Sequence, residues 1–438
     1  GKPNDAAVIG WWEEMGEYAL DPDWFTCTQV VSSALRAGRP EVVEDVWEVL
    51  SADADVVMVQ DHIAMYTTIM RVLGERGNPV AICSLLQRML EDGIEMDAYA
   101  FRTAFTALEA CGHWEGMKWS YAYGCAKDRI PNDVNIKMVY AALEHADYKL
   151  AVKAIDRVTH NFHRAERRSG RGSGAKGGAG AGGGGGANNA VARLNRVRRA
   201  HRVCTVAVSK FCTQETVHHV LDVMKLMWAS KLHPNHITYS AALKSAAAAQ
   251  AGDVVEVLLA RLDQDLRDGL VSTHVITLTH AVAAAGRAGD ARAVEAWLAR
   301  AEEVGVGDEI IYTVGVEAAS NCNDVEMAAG LLARMRARGH APNAYTYSAL
   351  IDCLGKRGLT DQAMQAFESM REEGLERDVM VYNTLLLAVA AGGEFHLIAG
   401  LLDEMRTDGV SPNTTTEAVI QPHVDAVASA QYFITDHS

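Results

Sequence analysis

Along residues 344–378 the apolar positions Tyr347, Leu350, Ile351 and Leu354 fall at i, i+3, i+4 and i+7, which places them on one face of a helix. Gly358 follows as a left-handed stop. Thr360 or Asp361 is then set to cap a second helix that buries Ala363, Ala366, Phe367 and Met370 before Gly374 ends it. A short link through Arg377 and Asp378 restarts the pattern, and the restart is periodic. Tyr312, Tyr347 and Tyr382 are 35 residues apart, and Met335, Met370 and Met405, like Gly339, Gly374 and Gly409, keep the same step. A single hairpin of this size cannot bury its own apolar face, so a fixed period predicts a stack in which neighbours complete one another's core. The predicted fold class is all-α, a superhelical solenoid of about ten 35-residue helix-turn-helix repeats whose first helices line the concave face.

Length and composition fit an elongated array. A chain of 438 residues would ordinarily divide into two or three globular domains, but a repeat array builds no single core. No run reaches the roughly 18 apolar residues of a membrane helix, so no spanning segment is expected. Eight cysteines are scattered without a CxxC pair, which reads as small core residues in a reducing compartment and not as a disulfide frame or zinc site.

The formal net charge of −15 at first argues against a nucleic-acid partner. It is the average of two unlike parts. From Arg157 to Arg202, eleven Lys or Arg face the single acid Glu166, a net +10, which leaves 30 basic and 55 acidic residues, a net −25, for the rest. Between Gly170 and Gly186, 11 of 17 residues are Gly, so 165–200 reads as one basic, disordered, Gly-rich insertion, either a solvated loop or a polybasic RNA tether.

One repeat closes on Pro412-Asn413. It opens on Val379-Met380-Val381-Tyr382-Asn383, carries Gly393 between its helices and ends its second helix on Leu401-Leu402-Asp403-Glu404-Met405. These features resemble pentatricopeptide repeats of the P type, whose fold is a right-handed superhelix. Tetratricopeptide repeats are the nearest alternative, but their Trp, Leu-Gly and Tyr positions do not recur here. On this register repeats run at 24–62, 63–97, 98–132, 133–200, 201–235, 236–274, 275–308, 309–343, 344–378 and 379–413. Residues 1–23 form a partial repeat, 24–164 divergent repeats, 201–413 well-matched ones, and 414–438 a degenerate repeat or capping helix.

The resemblance implies single-stranded RNA as the partner, with one base per repeat read by the fifth residue of the first helix and the last residue of the repeat. Guanine and uracil carry a ring N–H that a carboxylate accepts, whereas adenine and cytosine present a ring acceptor that an Asn amide serves. Thr67 with Asp97 then suggests G, Thr205 with Asn235 A, Thr279 with Asp308 G, Thr313 with Asn343 A, Ser348 with Asp378 G, and Asn383 with Asn413 a pyrimidine. Ser240, paired with His274, favours a purine, so the C-terminal half would read 5′-A-R-G-A-G-Y-3′. Asp and Asn are also preferred N-caps, so the same residues have an ordinary structural reading beside this one. Ile276, Ile310, Tyr345 and Met380, at the second position, would pack against bases in the family arrangement or belong to the core.

Thr28 with His62, Arg102 with Asn132, and the Lys137 repeat depart from the family's combinations, which suggests protein partners there or none. The phosphate side is thin. At the thirteenth position only Arg36, Arg287 and Lys356 are basic, with Arg287 and Lys356 in the well-matched half, so weak or partner-assisted binding is expected.

No catalytic constellation, cofactor motif or metal set stands out. The adjacent carboxylates in 370–374 and 402–405 read as solvated helix charge, and His218-His219 near Cys212 lack ligand spacing. The HxE with CxxC of a zinc deaminase is absent, and the Gly-rich run lacks the GK[ST] ending of a phosphate loop. The expectation is a non-enzymatic RNA binder that stabilises, processes or translates a transcript in an organelle, the chloroplast ahead of the mitochondrion. The alternative is a scaffold subunit of an organellar ribosome or RNA polymerase assembly.

Overall fold

The computed structural model describes residues 5–18, 22–52, 63–171 and 185–423. Among them every regular element is helical, and the helices gather into two compact bodies, Gly1–Ala175 and Lys176–Ser438. The N-terminal body holds α1 (Asp5–Glu17), α2 (Trp24–Ala37), α3 (Glu41–Ala52), α4 (Ile63–Glu75), α5 (Pro79–Glu91), α6 (Ala98–Ala110), α7 (Trp114–Ala126), α8 (Asn132–Glu144) and α9 (Tyr148–Arg171). The C-terminal body holds α10 (Gly185–Lys210), α11 (His218–Ala229), α12 (His236–Ala248), α13 (Gly252–Arg267), α14 (Val275–Arg287), α15 (Ala291–Glu303), α16 (Glu309–Asn321) and α17 (Val325–Ala337). It continues through α18 (Ala344–Lys356), α19 (Thr360–Glu372), α20 (Val379–Gly392), α21 (His396–Thr407) and α22 (Thr414–Ile420).

Each body is an all-α repeat solenoid. In the C-terminal body the first helices form one layer, α12 on α14, α14 on α16, α16 on α18 and α18 on α20. The second helices form another, so that α17 lies on α16 and α18, and α19 on α18 and α20. Tyr239, Tyr312, Tyr347 and Tyr382, at the fourth position of their first helices, are fully buried between the layers, as are Met335, Met370 and Met405. Each phenol finds a polar partner: Tyr239 donates to Asp265 at 2.5 Å, Tyr312 to Glu302 at 2.5 Å and Tyr382 to Asp408 at 2.6 Å, while Tyr347 accepts from Arg336 at 2.6 Å. These bonds satisfy the one polar atom that burying a tyrosine takes from water.

Successive first helices approach closely because small residues meet. A Cβ on Gly74 would lie 2.6 Å from the Cβ of Ala107, and Gly286 and Gly355 face Ala318 and Ala388 in the same way. Gly358 has φ +68°, the left-handed conformation expected of the helix stop. The caps expected at Thr360 and Asp361 are not made. The helix α19 begins at Thr360 itself, behind Leu359, without a side-chain cap bond. Thr360 is buried where its hydroxyl occupies the space a side chain at Gly392 would need.

The segment expected to be a disordered insertion, 165–200, has helical backbone over 165–171 and 185–200, while 172–184 lie outside the described residues. In consequence residues 201–210 are the end of a long helix and not a helix of their own. At the C-terminus the expected degenerate repeat or cap begins as α22 and a 3₁₀ turn, Gln421–His423; Tyr432 and Phe433 lie outside the described residues.

All eight cysteines are free, but only Cys27, Cys204 and Cys353 are buried core residues; Cys212 is exposed. Of the carboxylates read as solvated, Glu372, Glu373 and Asp403 are exposed, and only Glu404 is half-buried. Glu373 pairs with Arg336 at 2.5 Å, and Glu404, with Asp408, holds the largely buried Arg377 guanidinium at 2.7 and 2.6 Å.

Candidate nucleic-acid interface

The last residue of repeat 63–97 and of each well-matched repeat is an N-cap. Through Oδ1, Asp97 accepts from the amide of Ala100 at 2.7 Å, Asn235 from Thr238 at 2.9 Å and Asp308 from Ile311 at 3.0 Å. Asn343, Asp378 and Asn413 accept likewise from Thr346, Val381 and Thr416 at 3.0, 3.0 and 2.9 Å. Capping consumes one atom of each side chain and leaves the other. For Asp97, Asp308 and Asp378 the second oxygen makes no hydrogen bond or ion pair among the described residues. In the Asn residues the cap turns Oδ1 inward and Nδ2 outward; the Asn343 amide donates to Glu309 at 2.9 Å. One position thus offers an acceptor when it is Asp and a donor when it is Asn.

His274 also caps, accepting from the Ile276 amide at 3.3 Å through Nδ1, and its ring stacks on His236 with centroids 4.7 Å apart. Asn132 departs from the pattern. The helix α8 begins at Asn132, with Pro131 in the cap place and no side-chain bond, so Asn132 lies in the first turn.

The fifth-position side chains stand close to the caps. Thr67, Ser240, Ser348 and Asn383 are buried, while Thr205, Thr279 and Thr313 are half-buried. Thr67, Thr279 and Thr313 donate to the carbonyls of Ala64, Val275 and Glu309 at 2.9, 2.9 and 3.0 Å, as helical hydroxyls do. Ser348 shares a hydrogen bond with Thr384 of the next repeat at 3.0 Å, and Asn383 donates to Asn413 at 3.3 Å.

The second position is mostly exposed in the C-terminal body. Ile276, Ile310 and Tyr345 are 54%, 63% and 66% exposed, and Met380 is half-buried. Large apolar side chains left in water at the same place in three successive repeats are not core residues. The same row includes Phe25, Tyr99 and Ile237, which sequence reasoning missed although they occupy the same place in their repeats and are 70%, 60% and 55% exposed.

An open cavity of about 450 Å³ at the first well-matched repeat is lined by Arg198, His201, Arg202, Thr205, Asn235 and Ile237. Arg198, Arg202 and Thr205 fall at i, i+4 and i+7, so the unbroken α10 brings two cations onto the face that carries Thr205. Burial, with His233 nearby, lowers the His201 pKa and favours the neutral ring. Neither arginine was singled out from the sequence, Arg198 because 165–200 read as a loop and Arg202 because it stands at the second position, where an apolar residue is expected. Of the expected phosphate residues, Arg287 is exposed, whereas Lys356 is held by Asp352 at 2.6 Å and donates to Ser320. Arg36, in the N-terminal body, is paired with Asp5 at 2.7 Å.

In the N-terminal body two of the departures from the family pattern, Arg102 and Lys137, are ion-paired across neighbouring first helices. Arg102 meets Asp133 at 2.7 Å and Lys137 meets Glu109 at 2.5 Å. Thr28 bonds the Met65 sulfur at 3.3 Å, and its expected partner, His62, lies outside the described residues. No cluster of three metal-ligating side chains occurs among the described residues, and His219 instead faces Asp222 at 3.2 Å.

Comparison with known proteins agrees with the repeat geometry. Models described as PPR repeat match residues 64–94 and 338–371, and one described as pentatricopeptide repeat domain matches 365–420. A chloroplastic pentatricopeptide repeat-containing protein of Arabidopsis thaliana, At3g09650, is 31% identical over 129 residues, 29% of this chain and 17% of that protein. A mitochondrial 15S rRNA processing factor of Vanderwaltozyma polyspora is 22% identical over 130 residues, 29% of this chain and 15% of that protein. These matches therefore span less than a fifth of either relative's own length. Among solved structures, the pentatricopeptide repeat protein PPR10 in complex with an 18-nt psaJ RNA element aligns over 99% of this chain and 71% of that one, at 18% identity and a TM-score of 0.35. The matched segments lie in both bodies.

Proposed function

We propose that this pentatricopeptide repeat protein binds single-stranded RNA through its C-terminal body, one base per repeat, without catalysing a reaction on it. The observation that carries this reading is a set of three chemistries repeated along the first helices. In α14, α16 and α18 an exposed apolar side chain stands at the second position, a small polar one at the fifth, and a cap with a polar atom to spare at the end of the repeat.

In this mechanism each base rests its face on a second-position side chain such as Ile310 or Tyr345, a contact indifferent to base identity. The cap then sorts the bases. The outer oxygen of Asp308 or Asp378 accepts the ring N–H of guanine, and the outer amide of Asn235 or Asn343 donates to the ring nitrogen of adenine. Glu309 holds the Asn343 amide until a base replaces it. The resulting order is 5′-A-R-G-A-G-Y-3′. Arg198, Arg202 and Arg287 are the cations on hand for phosphates, a small number that predicts modest affinity.

Relatives named as chloroplastic and as a mitochondrial rRNA processing factor support an organellar site of action, with the chloroplast ahead, in stabilising, processing or translating a transcript. A scaffold role is favoured for the N-terminal body alone, where Arg102 and Lys137 are neutralised by their neighbours.

Titration with RNAs containing A-A-G-A-G-C or A-G-G-A-G-C, against a scrambled sequence at several salt concentrations, tests the reading. Tighter binding of a matched RNA is the expected result, and equal affinity for matched and scrambled RNA would sink it. Pull-downs of the intact protein with and without nuclease test the scaffold role, since protein partners should survive the nuclease.

A further inference from the structure

The repeats read through Asn share a contact that those read through Asp lack. Thr238, Thr346 and Thr416, each the third residue of the following repeat, are fully buried. Their hydroxyls donate to Oδ1 of Asn235, Asn343 and Asn413 at 3.1, 3.0 and 3.0 Å, beside the backbone amide that already caps there. The same hydroxyls reach the fifth residue of the preceding repeat. Thr238 lies 2.8 Å from the Thr205 hydroxyl, Thr346 lies 2.9 Å from that of Thr313, and Thr416 lies 2.7 Å from Asn383 Oδ1, so the one hydroxyl proton of each Thr is shared between the cap oxygen and the fifth residue. After Asp97, Asp308 and Asp378 the third place holds Ala100, Ile311 and Val381, equally buried and without a hydroxyl.

The chemistry of the two side chains accounts for this pairing. A carboxamide has two ends of nearly the same shape, and the end that faces the base decides whether it donates or accepts. The backbone N–H, reinforced by the hydroxyl proton that the Thr shares between Oδ1 and the fifth residue, holds the oxygen inward and turns Nδ2 toward the base; the flipped amide would set its own hydrogens against the backbone N–H. A carboxylate needs no such orientation, because both oxygens accept. Thr26 makes the same contact to Asp23, at 2.6 Å, where there is no amide to orient.

We propose that the third residue of a repeat is a positioning residue for base selection by the repeat before it. Thr238, Thr346 and Thr416 fix the amides of Asn235, Asn343 and Asn413, so that three residues and not two set the base chosen there. The inference rests on the base-reading function proposed above.

The test uses the full chain and two RNAs, A-A-G-A-G-C and the same sequence with G at the fourth base. Thr346→Val removes the hydroxyl at nearly constant shape and should reduce the preference for A over G roughly fivefold, whereas Thr346→Ser should retain it. A gain-of-function pair covers the case in which Thr346→Val folds poorly. Asp378→Asn alone should move the fifth base only partly from G to A, and adding Val381→Thr should raise the A preference roughly threefold further. An unchanged A-to-G ratio in Thr346→Val, or equal loss of affinity for both RNAs, overturns the proposal and leaves a packing role; so does a Val381→Thr that adds nothing. If the unaltered protein fails to separate matched from scrambled RNA, the base reading itself falls and takes this inference with it. A selective parent with an indifferent Thr346→Val defeats the positioning role alone.

Discussion

The two bodies repeat one scaffold and differ in what stands at the fifth position of the first helix. In the C-terminal body it is Thr, Ser or Asn, hydrogen-bonded to neighbouring hydroxyls, amides or the helix itself. In the N-terminal body two of the four, Arg102 and Lys137, are long cations locked to carboxylates of the adjoining first helices. A small neutral side chain leaves room for a base and can exchange its hydrogen bond at little cost. An ion pair fills that room and must be broken first. Packing a solenoid and presenting the proposed reading surface would then be separable demands, met by different positions of the same repeat.

The largest test of this contrast is the stacking row. Replacing Ile310 and Tyr345 together by Ala should weaken matched RNA binding by roughly 100-fold, at about 1–3 kcal/mol for each stacked base. Tyr99→Ala, the equivalent change in the N-terminal body, should stay within about twofold on the same RNA. Equal losses in a filter-binding titration would erase the distinction between the bodies.

A change of intermediate size concerns the caps. Asp378→Asn should shift the preference at the fifth base from G toward A, up to about tenfold when the orienting Thr is supplied, while thermal stability changes little because Asn caps as well as Asp. An unchanged base preference would count against the repeat register.

Salt dependence supplies a smaller effect. With Arg198, Arg202 and Arg287 as the main phosphate cations, the slope of log affinity against log salt should be about −2, and Arg198→Ala with Arg202→Ala should flatten it by about 1.4. A slope that does not respond would move the phosphate contacts off α10.

The smallest effect is on stability. The Tyr382 hydrogen bond, and then Arg377, hold the Asp408 carboxyl below its ordinary pKa of 3.8. A depressed folded-state pKa contributes stability above the unfolded value that is lost as pH falls through the folded one. Melting of the intact chain should decline modestly below about pH 4, and Asp408→Asn should remove that increment. A pH profile identical in the variant would dismiss the Tyr382–Asp408–Arg377 network as a source of stability.

Much of this architecture was legible in residue order. Helix faces follow from apolar spacing, the period follows from Tyr, Met and Gly recurring every 35 residues, and the capping Asp and Asn stand in plain sequence view. Local rules failed at the start of α19, where tertiary contact with Gly392 outweighs the capping preference of Thr360, and at 185–200, where helix continues into a segment whose composition suggests a loop.

What the chain by itself determined was the repeat, its register and the residue types at the second, fifth and last positions, because these depend on contacts within about one helical turn or on strict recurrence. Only the tertiary structure decided which of those side chains are exposed, since Ile310 and Leu350 look alike in a sequence but one is exposed and the other buried. It alone joined Thr346 to Thr313 and Asn343, and Asp133 to Arg102. Contacts between side chains some 30 residues apart depend on how one repeat sits on the next, and only the packing of the first helices sets that distance.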